Sequence, residues 1–298
     1  MYPVPLTYFF NFSMISNQAR PWLLAEIANA GARHLVLSGP LVDAILQNPA
    51  EMNTLEKEMA DAGLDFVDCH SQIGLEVDLN LQNSAQRRAM IARHKLIMEI
   101  AHCFHVDTIT IHTGNNWTKE WGALPVQQHM DMIADSLDQL LPLAEELNMT
   151  LCIENVWSQT ATPERLMEIK KRFPTDALGF CYDAGHANIA EQGKQYPAGD
   201  LFEAWQYTTP DTPPEEKQIL EKMLPQVVNC HIHDNNGDRD RHRLPGSGTI
   251  NWQHIRTLLI QAPRLKCIQS EVSVTPNQIP LKQLIGTLEE LFPECKNI

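Results

Sequence analysis

Short β-rich runs alternate with longer helix-period runs eight times along this chain, and this alternation constrains the fold more than any other feature. The runs that predict strands are Leu6–Ser13, His34–Leu37, Leu64–His70, Val106–His112, Thr150–Glu154, Leu178–Asp183, Val227–His233 and Leu265–Glu271. The helix-period runs are Pro21–Ala30, Met52–Ala62, Ser84–His105, Val126–Leu147, Pro163–Lys171, Pro214–Met223, Trp252–Ile260 and Leu281–Leu291. Repeated βα units favour a parallel sheet, and eight strands close a barrel. We therefore predict the α/β class and a (β/α)8 barrel.

The strand and helix series is continuous, because no Pro/Gly/Ser-rich linker or low-complexity tract divides it. The sequence therefore predicts one domain over residues 1–298. A stretch of about 40 residues from His186 to Gln226 is longer than an ordinary connection and carries several prolines. We predict an insertion around residues 188–224, over the sixth βα loop.

The formal net charge of −14 opposes attraction to a polyanion, since nucleic-acid binding draws on Lys and Arg to neutralise phosphates. Arg239, Arg241 and Arg243 form a dense basic strip. No apolar run is long enough for a membrane span, the N-terminal stretch lacks the basic region of a signal peptide, and seven cysteines contain no CxxC pair. We expect a cytoplasmic protein with no membrane partner, for which nucleic acid is a disfavoured partner. The sequence is silent on oligomeric state.

Polar and apolar residues alternate in several of the predicted strands. Thr108, Thr110 and His112 alternate with isoleucines, and Asn229, His231 and His233 alternate with apolar residues. In a barrel the apolar set would face the helices, so we predict that the polar set points inside. Asp65 is an exception, because its position in the third strand places it on the outward face.

Acidic and imidazole groups end, or nearly end, six of the predicted strands. They are His70, His112, Glu154, Asp183, His231 and Glu271. The C-terminal ends of parallel barrel strands converge, so these groups would meet around one cavity. Burying them unpaired would be costly, and a divalent cation is their simplest common partner. Carboxylate and imidazole ligands without thiolates suit Mn2+, Mg2+, Co2+ or Zn2+.

Three motifs give nearly the whole chain a resemblance to a known family. They are Ile153-Glu-Asn-Val156, Tyr182-Asp-Ala-Gly-His-Ala-Asn188, and the stretch HIHDNNGDRDRHRLPGSGTINW that runs from His231 to Trp252. Together they resemble the xylose-isomerase-like TIM-barrel superfamily, which includes sugar (phosphate) isomerases and epimerases, inosose dehydratases and endonuclease IV. The resemblance implies a metal centre built by Glu154, Asp183, His231 and Glu271. It also implies that Glu154 and Glu271 are catalytic and exchange a proton with the substrate carbon next to the carbonyl.

A larger set of residues resembles the ligands of the three-zinc endonuclease IV centre and introduces a rival function. These possible ligands of further metals are His70, His112, His186, Asp240 and His242. The chain departs from the endonuclease pattern twice. Ala-Gly-His follows Asp183, whereas the endonuclease pattern has Thr-Cys-His at this place, and His233 stands where that pattern has Asn. These departures and the net charge favour a small substrate.

The function predicted from the sequence is therefore a metal-dependent isomerase or epimerase acting on a keto-sugar, sugar phosphate or related polyol. An endonuclease IV-like phosphodiesterase for abasic DNA and an inosose-type dehydratase stay open as alternatives. The predicted substrate-binding residues are His70, His112, His186, His233 and Trp117. The imidazoles would orient hydroxyls, and Trp117 would stack on a sugar face. Neither a GxSxG elbow nor a phosphate-binding or dinucleotide-binding motif occurs, so no nucleotide cofactor is predicted.

Overall fold

Eight parallel strands form a closed barrel in the computed structural model, which describes residues 3–114, 124–208 and 212–296. The strands are β1 (Leu6–Tyr8), β2 (His34–Leu37), β3 (Asp65–His70), β4 (Thr108–Ile111), β5 (Thr150–Glu154), β6 (Leu178–Asp183), β7 (Val227–Ile232) and β8 (Cys267–Ser270). Each strand pairs with its neighbours in the sequence, and β8 closes the barrel on β1. The predicted single-domain (β/α)8 TIM barrel is confirmed.

Helices surround the barrel and cover its apolar outer face. The described residues form α1 (Arg20–Ala30), α2 (Gly39–Gln47), α3 (Glu51–Ala62), α4 (Ser84–Cys103), α5 (Val126–Glu146), α6 (Pro163–Arg172), α7 (Ala184–Gln192), α8 (Asp200–Trp205), α9 (Ile219–Met223), α10 (Trp252–Leu259) and α11 (Leu281–Leu291). Fully buried side chains such as Leu24, Ile133 and Leu259 pack against strand residues in one continuous core. Within the described ranges, no helix combines the length and apolar character that crossing a bilayer requires.

Two predicted elements are longer than the observed ones by about five residues, more than any other. β1 ends at Tyr8 rather than at Ser13, because the chain turns into a short 3-10 helix that the side chain of Asn11 caps by accepting from Ser13 N at 3.1 Å. The helix predicted from Pro214 begins only at Ile219. Gln218 has a positive φ of 56°, which lies outside the right-handed helical region, so the helix cannot include this residue and begins directly after it.

Three helices had no counterpart in the sequence analysis. α2 begins with Gly39-Pro40, a pair that is typical of loops, yet proline is well tolerated in the first turn of a helix. α7 and α8 lie between β6 and β7 together with α9, so the described part of this connection holds three α-helices. The predicted insertion around residues 188–224 falls in this connection and stays a prediction.

Polar side chains fill part of the barrel interior. Asn229 Nδ2 on β7 donates to Asp68 Oδ2 on β3 at 2.5 Å and to Thr110 Oγ1 on β4 at 3.1 Å, and Thr108 Oγ1 donates to Asp68 Oδ1 at 2.6 Å. Because β7 does not pair with β3 or β4, these bonds must cross the interior, which confirms the predicted inward polar set. Burial raises the pKa of Asp68 to about 6.

Candidate metal centre

Ten ionisable side chains meet at the C-terminal ends of the strands. They are His70, His112, Glu154, Asp183, His186, His231, His233, Asp240, His242 and Glu271. Every ligand and substrate-binding residue that the sequence predicts is in this cluster, apart from Trp117. That residue lies outside the described residues. The convergence follows from the parallel barrel, which brings side chains from distant parts of the chain to one end.

Glu154, the last residue of β5, lies at the middle of the cluster and is fully buried. Its Oε1 is 2.9 Å from His186 Nδ1 and 3.4 Å from His231 Nδ1. Its Oε2 is 3.1 Å from His112 Nε2 and 3.7 Å from His70 Nε2. This carboxylate therefore touches four imidazoles and can contact more than one cation at once.

The other three predicted ligands of the main centre are close to each other and to Glu154. His231 Nδ1 lies 3.5 Å from Asp183 Oδ2 and 3.3 Å from Glu271 Oε1. Potential ligand atoms of Asp183, His231 and Glu271 all lie within 4.8 Å of one another. The structure thus brings together the four side chains that the resemblance implied.

Asp183 owes its position to two local features. It ends β6 and caps α7, where its Oδ1 accepts from His186 N at 2.6 Å. Asn155 also fixes its backbone, because Asn155 Nδ2 donates to Asp183 O at 2.9 Å and Asn155 Oδ1 accepts from Asp183 N at 2.8 Å. Asn155 belongs to the motif Ile153-Glu-Asn-Val156, but no role follows from the motif alone. Its place directly after Glu154 was the available signal.

A second group of potential ligands adjoins the main centre and consists of His186, His233, Asp240 and His242. Asp240 and His242 lie on the loop between β7 and α10. Asp200, the first residue of α8, holds that loop by accepting from the backbone N–H of Asp240 at 2.7 Å. The long β6–β7 connection therefore helps to place a residue of the cluster.

The charges in the cluster shift the pKa values of its members. Burial alone would raise the pKa of Glu154, but the imidazoles of His231 and His112 outweigh it and hold this pKa well below its usual value. Burial alone would lower the pKa of His242, but the carboxylate of Asp240 raises it to about 9. Positive charge in this cavity is therefore stabilised.

Among the described residues, several buried polar atoms of the cluster lack a hydrogen bond of good geometry. They are both oxygens of Glu154, both ring nitrogens of His231, Nδ1 of His233 and Oδ1 of Asp240. Unpaired polar atoms are costly to bury, and a divalent cation would be a partner for them. The donor set of carboxylate oxygens and imidazole nitrogens fits such an ion.

Comparison with known proteins agrees with this architecture. A family model described as "Xylose isomerase-like TIM barrel" matches residues 24–269. The chain belongs to this family. An uncharacterized protein of Methanocaldococcus jannaschii is 26% identical over 181 residues, which are 59% of this chain and 54% of that protein. The chain thus spans about half the length of this relative.

Solved structures share the xylose isomerase-like fold over nearly their whole length. One is a xylose isomerase-like TIM barrel protein of Mycobacterium smegmatis in complex with magnesium, with a TM-score of 0.72, 13% identity and 99% coverage of both chains. Another is a D-tagatose 3-epimerase-like protein, with a TM-score of 0.70, 18% identity and coverage of 97% of this chain and 96% of that one. At these identities the likeness establishes the fold.

Access to the centre of this xylose isomerase-like barrel is uneven. Glu154, Asp183 and His231 have no exposed surface, whereas His70 and Glu271 are each 8% exposed. Among the three carboxylates of the main centre, Glu271 is therefore the one that a small molecule can reach directly.

Proposed function

We propose that the protein is a divalent-metal-dependent isomerase or epimerase that acts on a keto-sugar, a sugar phosphate or a related polyol. The observation that carries the proposal is the approach of two carboxylates to one imidazole nitrogen: Glu154 Oε1 and Glu271 Oε1 lie 3.4 and 3.3 Å from His231 Nδ1. Two carboxylates at one site can remove a proton from carbon and return it to the other face or to the neighbouring carbon. The fold likeness to a D-tagatose 3-epimerase-like protein supports this class of reaction.

Glu154, Asp183, His231 and Glu271 would hold the ion, and their ligand atoms fall into overlapping groups that span less than 4.8 Å. When bound, Mn2+, Co2+, Mg2+ or Zn2+ would polarise the substrate carbonyl and so acidify the adjacent C–H. The remaining predicted ligands surround this centre and could hold further ions. They are His70, His112, His186, Asp240 and His242.

Glu271 and Glu154 would divide the proton transfers unequally. Glu271 is the more exposed of the two, and Gln269 Nε2 orients it by donating to its Oε1 at 2.6 Å. It is the base that would first take the proton from the substrate carbon. Glu154 is fully buried, so it would return a proton only to a substrate that is seated deeply among the imidazoles.

His70 and His112 line the same side of the cavity and would orient substrate hydroxyls. His70 Nδ1 donates to Ser71 O at 2.7 Å, which orients Nε2 towards the cavity, 3.7 Å from both Glu154 Oε2 and Glu271 Oε1. A hydroxyl bound there would lie next to both carboxylates. The predicted roles of Trp117, His186 and His233 in substrate binding stay predictions.

The second candidate is a phosphodiesterase for abasic DNA, because the larger endonuclease-like ligand set is complete in the cluster. Charge argues against it. Arg239 is paired with Asp200 at 2.7 Å, and Arg241 is paired with Asp238 at 2.5 Å. Two members of the basic strip are therefore neutralised within the protein and contribute little attraction for a phosphate backbone.

Two assays on one metal-loaded preparation separate these functions. The first incubates a panel of ketoses and ketose phosphates in D2O and follows them by NMR. The second measures nicking of an abasic-site oligonucleotide at rising salt, because phosphate-dependent binding weakens steeply with salt. We expect sugar turnover without nicking. Nicking without turnover would overturn the proposal in favour of the phosphodiesterase, and loss of a β-hydroxyl would identify a dehydratase.

A further inference from the structure

The ring of His233 occupies the space that a side chain at position 185 would need. A Cβ built on Gly185 would lie 1.9 Å from His233 Cε1 and 2.4 Å from His233 Nδ1. Real Cβ atoms do not approach other atoms so closely, so the imidazole can take this position only because residue 185 is glycine. The two departures from the endonuclease pattern, at Gly185 and at His233, are therefore one structural feature.

His233 is held in this space by contacts on both sides. It stacks on His242, with ring centroids 4.0 Å apart and an interplanar angle of 18°. Its Nε2 donates to Asp183 Oδ2 at 3.0 Å, and the residue has no exposed surface. Its other nitrogen, Nδ1, is buried without a hydrogen-bond partner in the described part of the chain.

Each of the two neighbouring histidines also has one ring nitrogen held by a backbone carbonyl, so its other nitrogen faces Asp240. His186 Nδ1 donates to Asn155 O at 3.0 Å, and His242 Nδ1 donates to Glu271 O at 2.8 Å. His186 Nδ1 is also 2.9 Å from Glu154 Oε1. A histidine that donates one N–H to a carbonyl or carboxylate is oriented to coordinate a metal through the other nitrogen.

The remaining ring nitrogen of each of the three histidines points towards the carboxylate of Asp240. His242 Nε2 and His186 Nε2 lie 2.9 and 3.6 Å from Asp240 Oδ2, and His233 Nδ1 lies 3.8 Å from Asp240 Oδ1. Oδ1 is itself buried and has no hydrogen-bond partner within the residues that the structure describes. One ligand atom from each of the four residues falls within 4.8 Å of the others.

The resemblance already gives His186, Asp240 and His242 as possible ligands of a further ion; we propose that in this chain His233 joins them as the fourth protein ligand of a divalent cation, and that Gly185 is required because it admits His233. Four protein ligands complete a tetrahedral shell, and three imidazoles with one carboxylate suit Zn2+ and its analogue Co2+. Such a closed site leaves no open position for substrate. The His233–Asp183 hydrogen bond would link this ion to the main centre. The inference concerns ion binding alone and is independent of the reaction proposed above.

The test counts ions and reads their geometry with the metal alone, without substrate. Wild type, His233→Asn, Gly185→Ala and the double variant are loaded with Zn2+ or Co2+, dialysed and measured by elemental analysis and Co2+ absorption. We expect each single variant to bind one ion fewer than wild type, or to hold that ion about 10–100-fold more weakly, with loss of tetrahedral Co2+ absorption. The double variant should be no worse than His233→Asn, because both changes remove the same ligand.

Matched controls keep the result specific. Gly286→Ala changes a helical glycine whose added Cβ would meet no atom of the described residues within 4 Å, and His254→Asn removes a half-exposed imidazole that pairs with Glu221. Both should keep wild-type stoichiometry, and Asp240→Asn should lose the same ion as His233→Asn. The proposal is overturned if His233→Asn retains every ion at wild-type affinity with an unchanged Co2+ spectrum. It is also overturned if the effects of Gly185→Ala and His233→Asn add.

Discussion

The change Glu271→Gln separates proton transfer from ion binding. The amide is nearly the same size as the carboxylate. Its oxygen can still accept a hydrogen bond from Gln269 Nε2, which in the wild-type protein donates to Glu271 Oε1 at 2.6 Å. The buried carboxylates of Glu154 and Asp183, together with His231, remain available to the ion. The amide, however, cannot take a proton from carbon. A general base contributes about 100-fold to 10,000-fold to rate, or about 3–5 kcal/mol of barrier.

The assay for this prediction is deuterium exchange in D2O, followed by NMR at the carbon beside the substrate carbonyl. Both proteins must be loaded with ion to equal occupancy, because a weakened ligand set would otherwise mimic loss of the base. Glu216→Gln is the matched control, since Glu216 is 7% exposed, much like Glu271, and pairs with Lys222 away from the cluster. We expect the control to exchange like wild type. If Glu271→Gln exchanges at the wild-type rate, Glu271 is only a ligand and the reasoning from its exposure is refuted.

The remaining predictions concern ion affinity, pH and stability. Asp183→Asn or His231→Ala should lower ion occupancy by more than about tenfold in elemental analysis after dialysis, because each removes a ligand of the main centre; full occupancy in both variants would contradict the assigned centre. Zn2+ affinity should rise between pH 6 and pH 9, because ion binding must displace the proton that Asp240 stabilises on His242, whose pKa is about 9. The expected slope is about tenfold per pH unit for each proton released, and a flat profile in calorimetry would contradict it. Phe180→Ala should lower the free energy of unfolding by about 3–5 kcal/mol in denaturant titration, since this side chain has no exposed surface; a loss below about 1 kcal/mol would show that the barrel wall repacks around it.

The sequence by itself determined the barrel and the membership of the cluster. The alternation of strands and helices is a local signal, because burial on a sheet and on a helix imposes different residue periods. Three of the eight predicted strands, including Thr150–Glu154 and Leu178–Asp183, have the observed bounds. Once the strands are parallel, their C-terminal ends must converge, so residues such as Glu154 and His231 could be placed in one cavity without any coordinates.

Only the tertiary structure decided how those residues contact one another. No periodicity relates Gly185 to His233, and the space that they share exists only because β6 and β7 are neighbours in the barrel. The bond from Asn229 to Asp68 joins residues 161 positions apart, so no local pattern could indicate it. Local signals specify secondary structure, whereas the role of each ionisable side chain depends on neighbours that the closure of the barrel brings within hydrogen-bond distance.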